Sequence, residues 1–218
     1  MQGGIMNKKT ITHIHSRQGG EAQMHEQRLP WIARWVGLFG LLFLLQLPVS
    51  SVIQQMEPTN PYRVKAAFIR NFARYVIWPS HVFSDEHSPW KVGILGADPF
   101  GDILEKTFKG RKEQERSFEI YRAETLDKLP PCQIIIITYK NAAKRRSTLV
   151  ELKNRPVLTV GDTPDFLQEG GIICFQVGDY VTMSVNLDQA RSVSLKIQTK
   201  MLEVAREVVE NGTVVRRR

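Results

Sequence analysis

Residues 133–138 read QIIIIT, four isoleucines in a row between two polar residues. So short an unbroken β-branched run predicts a strand buried on both faces. A strand of that kind sits in the middle of a sheet with a layer of structure on either side. The neighbouring segments supply the rest of such a sheet. On the N-terminal side, Lys91 to Gly96 is a short apolar strand, and SFEIYRA, 117–123, alternates as a strand with one exposed face. On the C-terminal side, Val157 to Val160 is another buried strand. Ile172 to Val177 and Tyr180 to Leu187 follow, with Gly178-Asp179 between them as a tight hairpin.

The intervening stretches read as helices. In VKAAFIRNFARYVIWP, 64–79, Ala67, Phe68, Phe72, Tyr75 and Val76 recur at helical spacing and Pro79 ends the run. Asp98 is placed to cap a helix beginning near Pro99, with Ile103, Leu104 and Phe108 inward and Gly110 as its stop. Asn141 to Leu152 is a helix with Lys144, Arg145 and Arg146 outward. Asp162 to Gln168 is a short capped helix. Asp188 to about Val209 carries an apolar stripe and reads as one long helix. The expectation is a single α/β domain over 52–210, with a mixed sheet flanked by helices and a C-terminal β-hairpin followed by a long helix. Residues 211–218 read as a loose basic tail.

Ahead of this domain, WVGLFGLLFLLQL (35–47) follows Arg28 and Arg34, and Pro48, Ser50 and Ser51 come after it. A basic flank, a short apolar run and small residues describe a secretory signal peptide cut after Ser51. An uncleaved membrane anchor is the alternative. Residues 1–51 are therefore leader and signal peptide, with Met24 as a candidate true start, and the domain is exported.

Export revises the charge argument. The 218-residue chain has 30 Lys+Arg against 22 Asp+Glu, a net +8. Cleavage after Ser51 removes five basic and two acidic groups and leaves a net +5. Three of those charges are Arg216, Arg217 and Arg218. A nearly balanced exported domain is a poor nucleic-acid binder. A mean hydropathy of -0.24 excludes a multi-pass membrane protein.

The residues that carry chemistry do not assemble into a known motif. GxSxG, HExxH, P-loop and CxxC patterns are absent from the sequence. His81 and His87 lie in a polar loop with Asp85 and Glu86, which reads as solvated loop rather than metal site. Gly96 to Gly101 opens a helix after a strand, but Asp98 puts a negative charge where a phosphate would sit. Asp162, Asp165 and Glu169 read as helix-capping carboxylates. The reading is a non-enzyme with no catalytic, metal or cofactor site. Cys132 and Cys174 are either a disulfide closing a long loop in an oxidising compartment or two small buried hydrophobes.

The segments VKAAFIRNFARYVIWP, VGILGADPFGD, CQIIIIT, LTVGDTPDFLQEGGIICF and VTMSVNLDQARSVSLKIQTKMLEVA, taken together and in order, resemble the YfiR family of periplasmic proteins. The resemblance spans nearly all of Tyr62 to Glu207. It implies a helix-flanked mixed sheet and a homodimer. It also implies a periplasmic repressor that binds the periplasmic region of an inner-membrane diguanylate cyclase, lowering cyclic-di-GMP and biofilm formation. Members often carry a cysteine in the strand matching Val92-Gly93-Ile94, able to pair with one at Cys132, and others near Cys174. This chain has Gly93 in that strand. A Cys132–Cys174 bond or an intermolecular disulfide are then the remaining pairings. Candidate partner anchors are Phe175, Tyr180 and Met183 on the hairpin. The other readings of the domain are a periplasmic small-ligand binding module, with the loop Gly96 to Gly101 as its candidate site, and an exported enzyme relying on Asp98 or Asp162.

Overall fold

The computed structural model describes residues 60–216. The leader, the signal peptide, the start at Met24 and the last two arginines lie outside them. The first element is helix α1 (Pro61–Tyr75), with Asn60 accepting from the Tyr62 N–H at 2.9 Å. A two-residue strand β1 (Val76–Ile77) follows, then β2 (Trp90–Leu95), helix α2 (Ile103–Phe108), β3 (Phe118–Ala123) and β4 (Ile134–Ile137). Next come helix α3 (Ala142–Leu152), β5 (Leu158–Gly161), β6 (Ile173–Val177) and β7 (Val181–Asn186). The chain closes with α4 (Leu187–Ser192), β8 (Lys196–Ile197), α5 (Thr199–Glu203), β9 (Glu207–Glu210) and β10 (Thr213–Arg216).

One eight-stranded mixed sheet runs in the order β10-β9-β7-β6-β5-β4-β2-β3. Strands β3, β2, β4, β5 and β6 are parallel, and β7 returns antiparallel to β6. The four isoleucines form β4 and all four are buried. Ile134 and Ile136 join a core with Val92, Ile94, Leu158, Val160, Phe175 and Met183 beneath Ala66, Ile69 and Phe72 of α1. Ile135 and Ile137 join a second cluster with Leu149 and Leu152 of α3 and Phe166. Alternate residues of one strand thus feed two separate layers.

Three expectations are corrected. The long C-terminal helix is broken into α4, β8, α5 and β9. Val193, Leu195 and Ile197 are buried while Ser194 and Lys196 between them are exposed, a period of two that no helix satisfies. The serines flanking Val193 also favour leaving the helix, and Ser194 turns the chain at φ 62°. β8 then pairs antiparallel with β1. Thr213 to Arg216, expected as loose tail, is β10, paired to β9 through Asn211-Gly212 at φ 51° and 71°. Asp188 accepts from both turn N–H groups at 2.9 and 2.8 Å. Finally, Asp162 to Gln168 forms successive turns rather than a helix. They seat the Phe166 ring where a Cβ on Gly161 or Gly171 would stand 2.5 or 2.2 Å from it, so both positions need glycine.

Candidate functional site

The C-terminal ends of β2, β4 and β5 open into a crevice lined by Tyr62, Lys65, Phe100, Thr138 and Asp162. Open α/β sheets hold their ligands in this place. Lys65 lies in phase with the core stripe of α1, and its side chain is 4% exposed. Its ammonium donates to Asp162 at 2.8 Å and stands 5.0 Å from the Tyr62 ring centroid. Asp162 is therefore the partner of a buried cation. The crevice has an open volume of about 10 Å³, room for one water, where a small-molecule site needs about 300 Å³ or more.

Asp98 and Asp85 are engaged as well. Asp98 accepts from the Phe100 N–H and from Arg122 Nε, both at 2.7 Å, and Arg122 also reaches Glu105 at 2.7 Å. Asp85 accepts from the N–H of His87 at 2.7 Å and lies within 3.2 Å of the Ser84 hydroxyl. The His87 bond, first, and the Ser88 hydroxyl hold the Asp85 carboxyl below its usual range. These bonds tie together the stretch from Ser84 to Ser88, and neither histidine ring takes part in them.

Arg145 corrects the outward basic run. Lys144 and Arg146 are exposed, but Arg145 is buried with Glu169, each side chain 5% exposed. Its Nε and Nη2 donate to the two Glu169 oxygens at 2.8 Å each. Nη1 donates to the Tyr139 and Lys140 carbonyls at 3.0 and 2.8 Å. Glu169 is then the counter-ion that ties the turns after β5 to α3, and no helix cap. The hydrogen bonds to Glu169 raise the Arg145 pKa.

Both cysteines are free and buried, so the Cys132–Cys174 disulfide is corrected. Topology forbids it. Cys132 precedes β4 and Cys174 lies in β6, with β5 between them. Two strand spacings are about 9.6 Å, beyond the roughly 7 Å Cα limit for a bridge. Cys174 is also level with Gly161, beyond the far end of the Ile134–Ile136 ladder from Cys132. Burial pushes each thiol up to about 11.

The three hairpin anchors separate. Phe175 and Met183 are cross-strand partners on the inward face, 2% and 1% exposed, so they are core and not surface anchors. Phe175 stacks on Phe72 of α1 at 6.0 Å between centroids. Tyr180 is 83% exposed in the turn, beside Val177 at 55%. Met183 instead floors a groove of about 260 Å³ between α1 and α5, edged by Phe68, Tyr75, Met201 and Val204. Lys65 and Arg145 were not legible as functional or buried residues, because their counter-ions lie 97 and 24 residues away along the chain.

Compared with known families, residues 62–206 match the sequence profile described as YfiR/HmsC-like. No curated protein matches the chain.

Proposed function

Since the chain belongs to the YfiR/HmsC-like family, we propose that it is a periplasmic regulatory protein that binds the periplasmic region of an inner-membrane diguanylate cyclase and represses it. Lower cyclic-di-GMP and less biofilm follow, and the working unit is a homodimer. Export through the signal peptide delivers it to that compartment. The observation that carries this reading is the match over 145 consecutive residues, 62–206, which takes in every strand from β2 to β8.

The geometry supports a binding role. Asp98, Asp162 and Glu169, three carboxylates in the loops after β2 and β5, are each held by a cation within 2.8 Å. The repressor would act by preferring the inactive cyclase, and it can shift that equilibrium only by its difference in affinity for the two states. Tyr180, with Val177 beside it, is the proposed aromatic anchor at the contact.

The test is complementation of a deletion strain. Deletion should raise cyclic-di-GMP, and the intact protein should restore it. Tyr180→Ala should weaken capture of the cyclase about tenfold or more, the loss typical of an aromatic hot spot. Its thermal unfolding should stay within about 0.5 kcal/mol of the parent. Phe175→Ala should instead lose about 3–5 kcal/mol of stability. Unchanged cyclic-di-GMP on deletion, with no membrane cyclase co-purifying, would sink the proposal.

A further inference from the structure

Strand β3 is the outermost strand of the sheet and pairs with β2 alone among the described residues. One row of its backbone N–H and C=O groups therefore has no strand partner. Beside that edge runs a groove of about 500 Å³ between α2 and β3. Its floor is apolar. Phe108 is buried and stacks on the half-buried Phe118 with centroids 4.6 Å apart, and Ile120 continues the floor along the strand.

The rim is predominantly basic, with Glu105 as its one acid. Lys106, Lys109, Arg111 and Lys112 line it, and all four are exposed. Lys106 is paired with Asp102 at 2.6 Å. The other three make no ion pair among the described residues. Of the nearby acids, Glu105 bonds Arg122 and Glu113 turns inward to Arg70 and Arg74, while Glu119 points to the other face of β3, where it accepts from the Tyr121 hydroxyl. The groove thus combines an open strand edge, an apolar floor and unneutralised cations.

We propose that this groove docks an extended acidic segment of a partner protein, which adds a strand to β3, seats apolar side chains on Phe118 and Ile120, and sets carboxylates against Lys109, Arg111 and Lys112. It rests on the reading of the protein as a partner-binding regulator and names the chemistry of the segment bound. Strand addition supplies affinity through main-chain hydrogen bonds, and alternate side chains supply specificity. The rim charges select the sign of the partner and speed its approach. The floor argues against a bare polyanion, which offers nothing to Phe108 and Phe118. Its recessed position argues against a lipid surface, which is met by apolar groups that protrude from the protein.

The probe is a short fluorescent peptide alternating glutamate and valine, titrated by anisotropy into the protein purified from the periplasm. Saturable binding is expected, weakened by added salt. The triple variant Lys109→Glu, Arg111→Glu, Lys112→Glu should bind at least about tenfold more weakly, with unchanged unfolding, because these side chains are solvent-exposed. Hydrogen exchange should slow at β3 amides in the complex. The same peptide with glutamine for glutamate should bind poorly.

Equal binding by the triple variant, no peptide binding, or no protection of β3 would overturn the proposal. So would capture of the protein by phosphatidylglycerol vesicles through these same residues without peptide binding, which would make the groove a lipid contact. The two readings fail separately. Peptide bound in the groove with cyclic-di-GMP unchanged on deletion removes only the cyclase. A repressor that still captures its cyclase as the triple variant, and does not bind the peptide, removes only the groove.

Discussion

Replacing Glu169 with alanine is expected to destabilise the fold by about 3–5 kcal/mol, because it strands a charged guanidinium in the interior. For a domain of this size that is a fall in the unfolding midpoint of roughly 10 °C. The size of the effect follows from the geometry. Arg145 spends two donors on Glu169 and one on two carbonyls, and both ionic side chains are 5% exposed. Loss of the carboxylate leaves the buried guanidinium with only the two carbonyls as hydrogen-bond partners. Glu169→Gln keeps acceptor capacity and should cost less. Replacing Arg145 and Glu169 together by Met and Leu should recover most of the loss, since an apolar pair of similar volume does not need the compensation. A loss below about 1 kcal/mol for Glu169→Ala is the value of a solvated surface pair, and would place Arg145 in contact with water.

The second large effect has the opposite sign. Gly93→Cys should form a disulfide with Cys132. A Cβ built on Gly93 stands 3.2 Å from the Cys132 Sγ. A bridge requires about 3 Å between those atoms, given an S–S bond near 2.05 Å. The nearest obstacle is the Leu129 Cδ1 at 2.8 Å, the end of a side chain able to rotate away. Closing a loop of about 40 residues is worth about 4 kcal/mol in the chain-entropy picture. Bridge formation should be slow without a catalyst or strong oxidant. Burial pushes the Cys132 thiol up to about 11, so only about one thiol in a thousand is ionised at pH 8. After oxidation the variant should keep one free thiol, Cys174, and should unfold at a higher temperature than its reduced form. Three free thiols after prolonged oxidation would contradict the close approach of β2 to the segment before β4. The same thiol shift makes stability fall as pH rises. Above about 9, where an unfolded cysteine ionises, the folded chain holds its proton until about 11.

The sheet was legible where local pattern and burial agree. Four isoleucines require apolar surroundings on both faces, and β4 has them. The C-terminal quarter was misread because its stripe was averaged over too long a window. Ala190, Val193, Ile197 and Met201 recur at helical spacing, and only Leu195, off that face, marks the alternation of Val193, Leu195 and Ile197. The pair Asn211-Gly212, flanked by two valines on each side, is itself a strong hairpin signal, obscured by the basic residues that follow it.

Charged residues were the least legible, for a physical reason. Burial of Lys65 depends on Asp162, and burial of Arg145 on Glu169, and neither pairing leaves a local mark. Phe175 and Val177 lie on the same face of β6, two residues apart, and burial falls off toward the strand end, so the alternation pattern cannot tell the buried one from the exposed one. The basic run from Lys106 to Lys112 went unread for the opposite reason. Its significance comes from the open edge of β3 beside it, which only the strand order reveals.

The proposed repression of a cyclase by binding is tested most directly by one measurement. Cyclic-di-GMP is measured in a deletion strain carrying either the intact protein or Tyr180→Ala, at matched periplasmic levels. The intact protein should return cyclic-di-GMP to its level before deletion, and Tyr180→Ala should leave it raised while remaining fully folded. Equal cyclic-di-GMP with the empty strain, the intact protein and the variant would contradict the account.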